Sequence, residues 1–401
     1  MKKFIKLLTC ILSLICVFIF TFISVGYFCK PEKIVMYEDL YQTGYLNIYT
    51  VRRSINVDTV SAGLNSESTD ADITLFGIIP VSKTTVTECD RKYVYAGGDL
   101  LGIRIYTEGL LVVGFEDIVT DDGNVNPGKE CGLKEGDIIT GVNNQKISSG
   151  KAFSAVLSLN EGNNIALTVK RNNDIYYYSL KPVFCESENK YRCGLWLKDS
   201  TAGIGTLTFT DPETGMFASL GHAICDNDTK SVLTVENGDI FSAVANDCIK
   251  GTKGITGQIK GTFTNEDIGD ILINNEFGLY GTYSDYNSAD DFYPVASVSE
   301  IEEGDAQIIC TVSSYEKEYY DIEIEKINKS GFNESRSLVI KVTDPDLLEK
   351  TGGIIQGMSG SPIIQNGMIV GAVTHVFLND PTMGYGVFAE TMLQTINDNI
   401  E

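Results

Sequence analysis

Short segments of β-branched and aromatic residues, separated by turns rich in Gly, Asn and Asp, recur through the second half of this chain. Thr206 to Thr210 and Met216 to Leu220 are two such segments, joined by the turn Asp211 to Gly215. Strands of this length with regular turn signals predict a barrel or a sandwich. In this half a helix is predicted only near the end, over Ala389 to Asn397. The fold is therefore predicted to be mainly β.

The amino terminus carries an apolar run. Leu7 through Phe28 contains no charged residue, and Lys2, Lys3 and Lys6 precede it. At about 1.5 Å per residue, a helix of this length can cross a hydrocarbon core of about 30 Å. The lysines favour a cytoplasmic amino terminus and place the rest of the chain outside. We predict a transmembrane anchor; the alternative is a signal peptide cleaved near Ser24-Val25-Gly26.

A second pattern spans Cys131 to Asn144 and looks like part of a PDZ domain. A short helix ends at a glycine, Gly-Asp makes a turn, and an apolar strand leads to an Asn-Asn hairpin. Lys151 to Leu159 then predicts the helix of the domain, and Ile165 to Lys170 predicts a strand with alternating faces.

Upstream of this pattern, Leu101-Gly102-Ile103 resembles the PDZ loop that holds a peptide carboxyl terminus. Leu101 and Ile103 would line a pocket, backbone N–H groups would bind the carboxylate, and the strand edge would pair with the peptide. The alternative is a scaffold that binds no free terminus.

The segment Gly357 to Pro362 contains a candidate nucleophile, Ser359. Gly357 lies two residues before it and Gly360 directly after it. A serine hydroxyl needs a neighbouring base, and the tight turn would direct the N–H groups of Gly357 and Ser359 at one oxyanion. The chain has two histidines. His222 follows an apolar segment that ends in glycine and is the predicted base; His375 is interpreted as a satisfied histidine within a strand.

The order of these residues is informative. Chymotrypsin-like enzymes run His, Asp, Ser, whereas α/β-hydrolases run Ser, Asp, His. His222 before Ser359 fits the first order. Three aspartates could orient the histidine: Asp344, Asp270 and Asp226. An orienting aspartate must be buried, and burial cannot be read from the sequence.

The chain resembles the stage IV sporulation protein B peptidases over most of its length. These are membrane-tethered serine peptidases of endospore-forming bacteria. The likeness is carried by Gly352 to Val387, which contains Gly357 to Pro362, the strand Ile369 to His375 and Gly384-Tyr385-Gly386-Val387. A more distant resemblance is to the chymotrypsin superfamily, whose Gly-x-Ser-Gly-Gly-Pro motif has glycine where this chain has Ser361.

The resemblance implies a chymotrypsin-like double β-barrel with His222 on the first half and Ser359 on the second. It also implies that Asp344 is the orienting acid. The predicted domains are an anchor at 1–30, a β-rich extension at 34–96, the PDZ-like domain at 97–183 and the serine peptidase domain at 184–401.

Charge and cysteine usage limit the partners. Thirty-one basic against 54 acidic residues give a net charge of −23, which disfavours nucleic acid and anionic membrane surfaces. The ten cysteines show no metal-ligand spacing, so neither zinc nor another cofactor is predicted. Cys185 and Cys193 are the preferred disulfide pair if the compartment is oxidising, and reduced packing cysteines are the alternative.

The predicted function is a membrane-anchored serine endopeptidase. The resemblance implies that it lies in the forespore membrane, with most of the chain in the intermembrane space. It would cleave itself and membrane-bound sporulation regulators, and so trigger intramembrane proteolytic activation of a mother-cell sigma factor. The PDZ-like domain would bind its own tail or the tail of a regulator. The alternatives are a catalytically inactive PDZ adaptor tethered to the membrane and a small-molecule esterase.

Overall fold

The structure, a computed structural model, describes residues 2–28, 33–37, 42–45, 49–53, 68–120, 123–172, 174–226, 232–233, 235–284, 292–329 and 334–399. The helices are α1 Lys2–Phe28, α2 Pro127–Glu130, α3 Gly150–Leu159, α4 Pro345–Thr351 and α5 Ala389–Asp398, with a 3-10 turn at Val298–Glu300.

The strands of the amino-terminal half are β1 Lys33–Tyr37, β2 Gln42–Tyr45, β3 Tyr49–Arg53, β4 Ser68–Leu75, β5 Ile79–Cys89, β6 Tyr93–Ala96, β7 Leu100–Phe115, β8 Ile118–Thr120, β9 Gly123–Val125, β10 Ile138–Val142, β11 Gln145–Lys146, β12 Ile165–Arg171, β13 Asp174–Leu180, β14 Val183–Cys185 and β15 Lys190–Arg192. Those that follow are β16 Leu195–Thr210, β17 Met216–Ser219, β18 Val235–Ile249, β19 Gln258–Asn275, β20 Gly278–Thr282, β21 Phe292–Pro294, β22 Gly304–Cys310, β23 Glu318–Ile327, β24 Leu338–Val342, β25 Pro362–Gln365, β26 Met368–Phe377 and β27 Asp380–Phe388.

Two six-stranded barrels form the body of the chain. In the first, neighbouring strands pair in the order β7, β18, β19, β20, β17 and β16, and β16 pairs again with β7. Its interior is apolar and includes Ile105, Phe217 and Ile240. The second is a closed barrel in the order β22, β23, β24, β27, β26, β25. The predicted double β-barrel is therefore confirmed.

The PDZ domain lies between β7 and β16. Its strands β10, β12 and β13 continue the first barrel's sheet from β7, and α3 covers a core that contains Phe153 and Leu157. The predicted turns are present: Asn143 and Asn144 both have positive φ between β10 and β11. Asp137 is fully buried, accepts the Lys134 N–H at 2.8 Å and pairs with Arg171.

The boundary predicted at residue 97 does not separate the two folds. The first half of β7 pairs with β16 and β18 in the first barrel, whereas Leu110 and Leu111 pair with β10 of the PDZ domain. One continuous strand therefore serves both. This sharing could not be read from the sequence, because a strand looks the same whichever sheet it joins.

At the amino terminus, α1 contains an apolar window, Leu8–Val25, with none of its residues buried. By length and composition this helix can cross a membrane, and Phe22 and Ile23 near its end contact a five-stranded sheet of order β1, β5, β4, β3, β2. The sheet occupies most of the predicted β-rich extension, but the last strand of that range, β6, pairs with β16 and β21 instead. Residues 38–41, 46–48 and 54–67 of the extension lie outside the described part of the chain, as do residues 29 and 30 of the predicted anchor.

The helix α4 was not predicted. Asp344 caps it, Pro345 is its first residue, and Gly352 ends it at φ +76°. A capping aspartate before proline, with glycine after the last turn, is a helix signal that the sequence does carry.

Candidate active site

The loop that carries Ser359 lies between α4 and β25 and is held by the first barrel. The carbonyl of Gly357 accepts the Thr206 hydroxyl at 2.7 Å, and the carbonyl of Gly360 accepts the Thr208 hydroxyl at 2.7 Å. The Thr206 N–H donates to the Ser359 carbonyl at 2.9 Å. A Cβ at Gly360 would come within 2.0 Å of the Thr206 carbonyl oxygen, so this contact requires glycine. The loop geometry is therefore fixed by β16.

The two N–H groups predicted to bind an oxyanion are available. Among the described residues, neither the Gly357 N–H nor the Ser359 N–H has a hydrogen-bond acceptor. The carbonyl of Gln356 accepts the Ile259 N–H at 2.8 Å. Because N–H and C=O point in opposite directions across a trans peptide, this bond turns the Gly357 N–H away from Ile259.

Of the two serines in the motif, only Ser359 is partly accessible, and Ser361 is fully buried. The Ser359 hydroxyl donates to the Thr374 carbonyl at 2.8 Å. In this arrangement the hydroxyl is not bonded to a histidine. Apo active sites are often looser than their working complexes, so a rotation of the serine side chain is needed before attack.

His222 follows β17 on a strained turn. Leu220 and Gly221 both have left-handed backbone conformations, with φ +66° and +68°. The Nδ1 atom of His222 donates to the Ala223 carbonyl at 2.9 Å, which leaves Nε2 as the free lone pair. Burial holds the pKa of His222 below its usual value, so the ring is a neutral base at pH 7.

The loops from the two barrels touch. A Cβ at Gly360 would lie 2.5 Å from the Leu220 N atom, and a Cβ at Gly221 would lie 2.7 Å from Thr374 Cγ2. The histidine loop therefore packs directly on the serine loop and on the strand to which the serine is bonded. The sequence predicted this convergence, and the structure brings the two segments together without a direct bond between Ser359 and His222.

His375 differs from its interpretation as a satisfied strand histidine. It does lie in β26, but its Nδ1 atom is buried and has no hydrogen-bond partner among the described residues. Its ring packs against His222, with centroids 4.7 Å apart and planes inclined by 38°. Sequence reasoning missed this residue at the site, although its place in a strand that pairs with β25, directly after the serine motif, was a usable signal.

None of the three candidate aspartates is hydrogen-bonded to His222 in the described part of the chain. One oxygen of Asp344 accepts the N–H groups of Asp346 and Leu347, each at 2.9 Å, and the other accepts the Asp321 N–H at 3.3 Å. No hydrogen bond joins Asp344 to His222 among the described residues. The carboxylate is instead the cap of α4.

The other two aspartates are not bonded to the histidine either. Asp226 is buried and pairs with Lys198 at 3.2 Å. Asp270 is exposed on β19 opposite Asp239. Within the described part of the chain, no carboxylate occupies the orienting position of a triad.

The prediction that Leu101-Gly102-Ile103 forms a carboxylate-binding loop is wrong. Leu101, Gly102 and Ile103 lie inside β7, with β16 on one edge and β18 on the other, and the two apolar side chains are in the core of the first barrel. A Cβ at Gly102 would meet Phe263 at 2.5 Å. With both strand edges already paired, these residues cannot bind a peptide terminus.

Cysteine placement shows no disulfide between the preferred pair. Cys185 and Cys193 are both buried and both free. Burial raises the pKa of Cys193 to about 12, which makes it an unreactive packing thiol. The described residues contain no group of three or more His, Cys, Asp or Glu side chains placed to hold a metal ion.

Comparisons with known proteins agree with this organisation. Residues 189–393 match the family model described as SpoIVB peptidase S55, and residues 126–171 match a PDZ-domain model. A Clostridium acetobutylicum protein named as a zinc metalloprotease, CA_C1796, is 31% identical over 70 residues, which are 18% of this chain and 21% of that protein. The chain thus spans about a fifth of the length of this curated relative.

Two solved structures resemble parts of the chain. The Rv3671c protease of M. tuberculosis in its active form is 12% identical and covers 49% of this chain and 74% of its own, with a TM-score of 0.31. The PDZ domain of the SdrC-like protein Lmo2051 of Listeria monocytogenes is 18% identical and covers 23% of this chain and 90% of its own, with a TM-score of 0.19. At these TM-scores the fold assignment rests on the strand pairing described above.

Proposed function

The chain belongs to the SpoIVB peptidase S55 family of serine peptidases and carries a PDZ domain, and we propose that it is an endopeptidase anchored by α1 that cleaves protein substrates outside the membrane. The observation that carries the proposal is the contact between the His222 loop of the first barrel and the Ser359 loop of the second. The loops that carry the candidate nucleophile and the candidate base, from remote parts of the chain, are in contact there.

In the proposed reaction, the Ser359 hydroxyl turns from the Thr374 carbonyl to the free Nε2 of His222. The oxygen attacks the peptide carbonyl carbon as its proton moves to Nε2, and the same proton then passes to the leaving amine. The unpaired N–H groups of Gly357 and Ser359 would hold the oxyanion. Water completes the cycle by releasing the acyl group from the serine.

The assignment of Asp344 as the orienting acid stays a prediction of the family resemblance. Its carboxylate accepts three backbone N–H groups around α4, and those bonds would have to break before it could approach His222. In the structure the Ala223 carbonyl, and not a carboxylate, accepts the Nδ1–H of His222 and so fixes its tautomer.

The same proposal gives the PDZ domain a peptide groove between β16 and α3. One edge of β16 pairs with β7 over Leu195 to Lys198, and among the described strands none pairs with its other edge there. α3 lies beside this segment, where the Gly150 N–H donates to Asp199 at 3.0 Å. An extended tail could add to the free edge as a strand, with its carboxylate at the turn formed by Gly194.

We further propose that the substrates are membrane-bound regulators of sporulation, that the chain cleaves itself, and that it acts in the intermembrane space to trigger activation of a mother-cell sigma factor. The family's name and the apolar α1 support this role. The PDZ groove would then receive the chain's own tail or that of a regulator.

Labelling of the full chain in detergent by a fluorophosphonate probe tests the enzyme proposal. The wild type should be labelled, Ser359→Ala should lose labelling, and the control Ser361→Ala, whose hydroxyl is fully buried, should keep it. An unlabelled but folded wild type would favour the inactive adaptor. Hydrolysis of a short acyl ester with no cleavage of any polypeptide would favour the esterase.

Peptide binding tests the groove. A fluorescent peptide with the last ten residues of the chain should bind with a free carboxylate and lose affinity when amidated. Gly194→Ala should weaken binding about tenfold, equivalent to about 1.4 kcal/mol, because its Cβ would meet the Glu116 carbonyl oxygen at 2.6 Å. Gly123→Ala is the control, with positive φ and open space around the new Cβ. Equal binding of acid and amide would exclude a carboxylate site.

A further inference from the structure

The turn between β4 and β5, Phe76-Gly77-Ile78, exposes two large apolar side chains and is called the tip. Phe76 is 61% exposed and Ile78 is 81% exposed. The preceding residue, Leu75, is fully buried in the core of the amino-terminal sheet, so the exposed apolar surface begins at the tip. Neighbouring apolar side chains that a folded chain leaves uncovered commonly mark a contact with a partner or a membrane.

The backbone of the tip makes phenylalanine an unfavourable choice. The Ile78 N–H donates to the Leu75 carbonyl at 3.2 Å, and the two residues between them have left-handed conformations, with φ +55° at Phe76 and +69° at Gly77. Hairpin turns of this kind favour Asn, Asp or Gly, because a bulky side chain at positive φ is strained. A strained backbone that presents an aromatic ring to the outside indicates a role for the ring beyond the fold.

The apolar helix α1 meets the sheet at the same end. The Tyr49 hydroxyl donates to the Phe22 carbonyl, and Tyr49 pairs with Leu75, the residue before the tip. Phe22 lies three residues inside the apolar window of α1, which ends at Val25. At 1.5 Å of rise per residue, Phe22 is about 4.5 Å below the outer end of this window.

The direction of β5 places the tip on the membrane side of the sheet. Phe22 packs on the sheet core together with Ile79, the first residue of β5. Further along the chain, β1 begins at Lys33 and pairs in parallel with β5, with Lys33 opposite Thr85. As the chain leaves α1 it therefore moves along β5 from its first residues towards Thr85. The tip precedes Ile79, so it lies at the opposite end, beside the apolar window.

Resting on the proposed membrane anchor, we propose that the tip inserts Phe76 and Ile78 into the bilayer leaflet at the outer end of α1. Apolar side chains that bind at the boundary of headgroups and acyl chains are buried about 5–10 Å deep, which agrees with the depth of Phe22. The net charge of −23 opposes attraction to anionic lipid. Insertion needs no such attraction, because α1 already holds the chain at the bilayer and burial of apolar surface is favourable.

The charged group nearest the tip is compatible with this position. A Cβ on Gly77 would lie 3.9 Å from the guanidinium of Arg52 on β3. Arginine side chains at a membrane boundary bury their apolar stems and keep the guanidinium among the headgroups. Phe76 and Ile78 can therefore enter the acyl region without burying this charge.

Insertion of the tip would also orient the peptidase body. β5 ends at Cys89, and β6, which pairs with β16 of the first barrel, begins at Tyr93. Between these strands, the Arg91 guanidinium lies 4.7 Å from the centre of the Tyr37 ring of β1 and pairs with Glu300 at 2.9 Å. The sheet is thus attached to the body. Contact with the bilayer at both α1 and the tip restricts rotation about the α1 axis, which one helix alone allows.

Quenching of tryptophan fluorescence by brominated lipid tests insertion on the full chain in phosphatidylcholine nanodiscs. The wild type has a single tryptophan, Trp196 on β16, which is 57% exposed and serves as the control. In a Trp196→Phe background, Phe76→Trp and Ile78→Trp each place the probe at the tip, and Leu14→Trp places it within the apolar window of α1. Bromine quenches on contact, so lipid brominated near the headgroup end of its acyl chains should remove about half or more of the tip emission, and lipid brominated near the chain ends should remove less.

The outcomes separate the tip from the anchor. Leu14→Trp should show the opposite depth preference, and Trp196 of the wild type should keep its emission with both lipids. If Leu14→Trp is quenched while both tip variants stay as bright as Trp196, the tip faces water or protein and the inference is wrong. Quenching of Trp196 as strong as that of the tip would also contradict it, because the chain would then lie on lipid without a specific contact.

A failure of the proposed anchor gives a different result. If Leu14→Trp is not quenched, α1 does not span the bilayer, and the anchor is wrong together with the insertion that rests on it. The readout does not involve Ser359 or His222, so it is independent of whether the chain is an enzyme.

Discussion

The two barrels contribute to the site in different ways. The second is built from one continuous stretch, β22 to β27, and supplies Ser359, the unpaired N–H groups and His375. The first is interrupted by the PDZ domain, which enters between β7 and β16, and supplies His222 from a strained turn. The serine half thus comes from one continuous part of the chain. The histidine half depends on β7 and β16, which also pair within the PDZ domain.

This difference has a structural consequence at β16. Its first residues pair with β7 inside the PDZ domain, and its later residues Thr206 and Thr208 bind the serine loop. The first barrel therefore holds the loop of the second through one strand. Substitutions in either barrel show which half of the site depends on it.

The largest effect is expected at the base. His222→Ala should lower the rate of fluorophosphonate acylation roughly 1000-fold or more, because the serine loses its proton acceptor. His375→Ala should lose less, since it removes a neighbour of the base and not the base. Both rates are measured on protein whose unfolding temperature matches the wild type. Equal losses would mean that the two histidines act as one unit.

The next effect concerns the contact between barrels. Gly360→Ala places a Cβ 2.0 Å from the Thr206 carbonyl oxygen at φ +96°, and backbone atoms on both sides cannot move freely. We expect it to lower the free energy of unfolding by about 3 kcal/mol. Gly367→Ala is the matched control, at φ +74° with open space around the new Cβ.

The control should lose only the cost of the left-handed backbone, about 1 kcal/mol. Urea denaturation of the two variants measures the difference. If Gly360→Ala were as mild as Gly367→Ala, the serine loop would not be clamped by the first barrel.

The sequence predicted the continuous half better than the interrupted half. The strand Ile369 to His375 was expected from the family resemblance and the loop around Ser359 from its glycines, and both lie where they were expected. Leu101-Gly102-Ile103 was assigned to the PDZ domain because its local pattern fits a carboxylate loop. Which sheet a strand joins depends on partners about a hundred residues away, and no local pattern records that choice.

Only part of the site was predicted, because local sequence patterns identify residue types but not their packing. Spacing and residue type identified Ser359 and His222, whose loops the structure brings together. The environment of His375 could not be predicted, because burial of Nδ1 without a partner is a property of packing.

The pH dependence of stability distinguishes the two halves further. The pKa of His375 is about 4 in the folded chain and lies near 6.5 in the unfolded chain. A depressed histidine pKa means that the unfolded chain binds more protons below pH 6.5, so stability is full above that pH and falls as pH drops towards 4. Allowing for the partial exposure of the ring, we expect a loss of about 1–2 kcal/mol over this window.

His375→Phe should remove most of this loss, because the group that must stay neutral is gone. Urea unfolding at pH 7 and at pH 4.5 gives the two values for each protein. An identical pH response in wild type and His375→Phe would assign the loss to His222 or to carboxylates elsewhere.

The smallest effect is expected at Asp344, where the resemblance and the geometry predict opposite results. If Asp344 caps α4, Asp344→Asn keeps an acceptor for the Asp346 and Leu347 N–H groups and should leave stability and acylation near wild type. Asp344→Ala removes the cap and should lower the free energy of unfolding by about 1 kcal/mol. If Asp344 instead orients His222, Asp344→Asn should slow acylation by roughly 10,000-fold, as the corresponding change does in a Ser-His-Asp triad. A full acylation rate for Asp344→Asn, with lower stability only for Asp344→Ala, would mean that the aspartate only caps α4 and that His222 is oriented by its hydrogen bond to the Ala223 carbonyl.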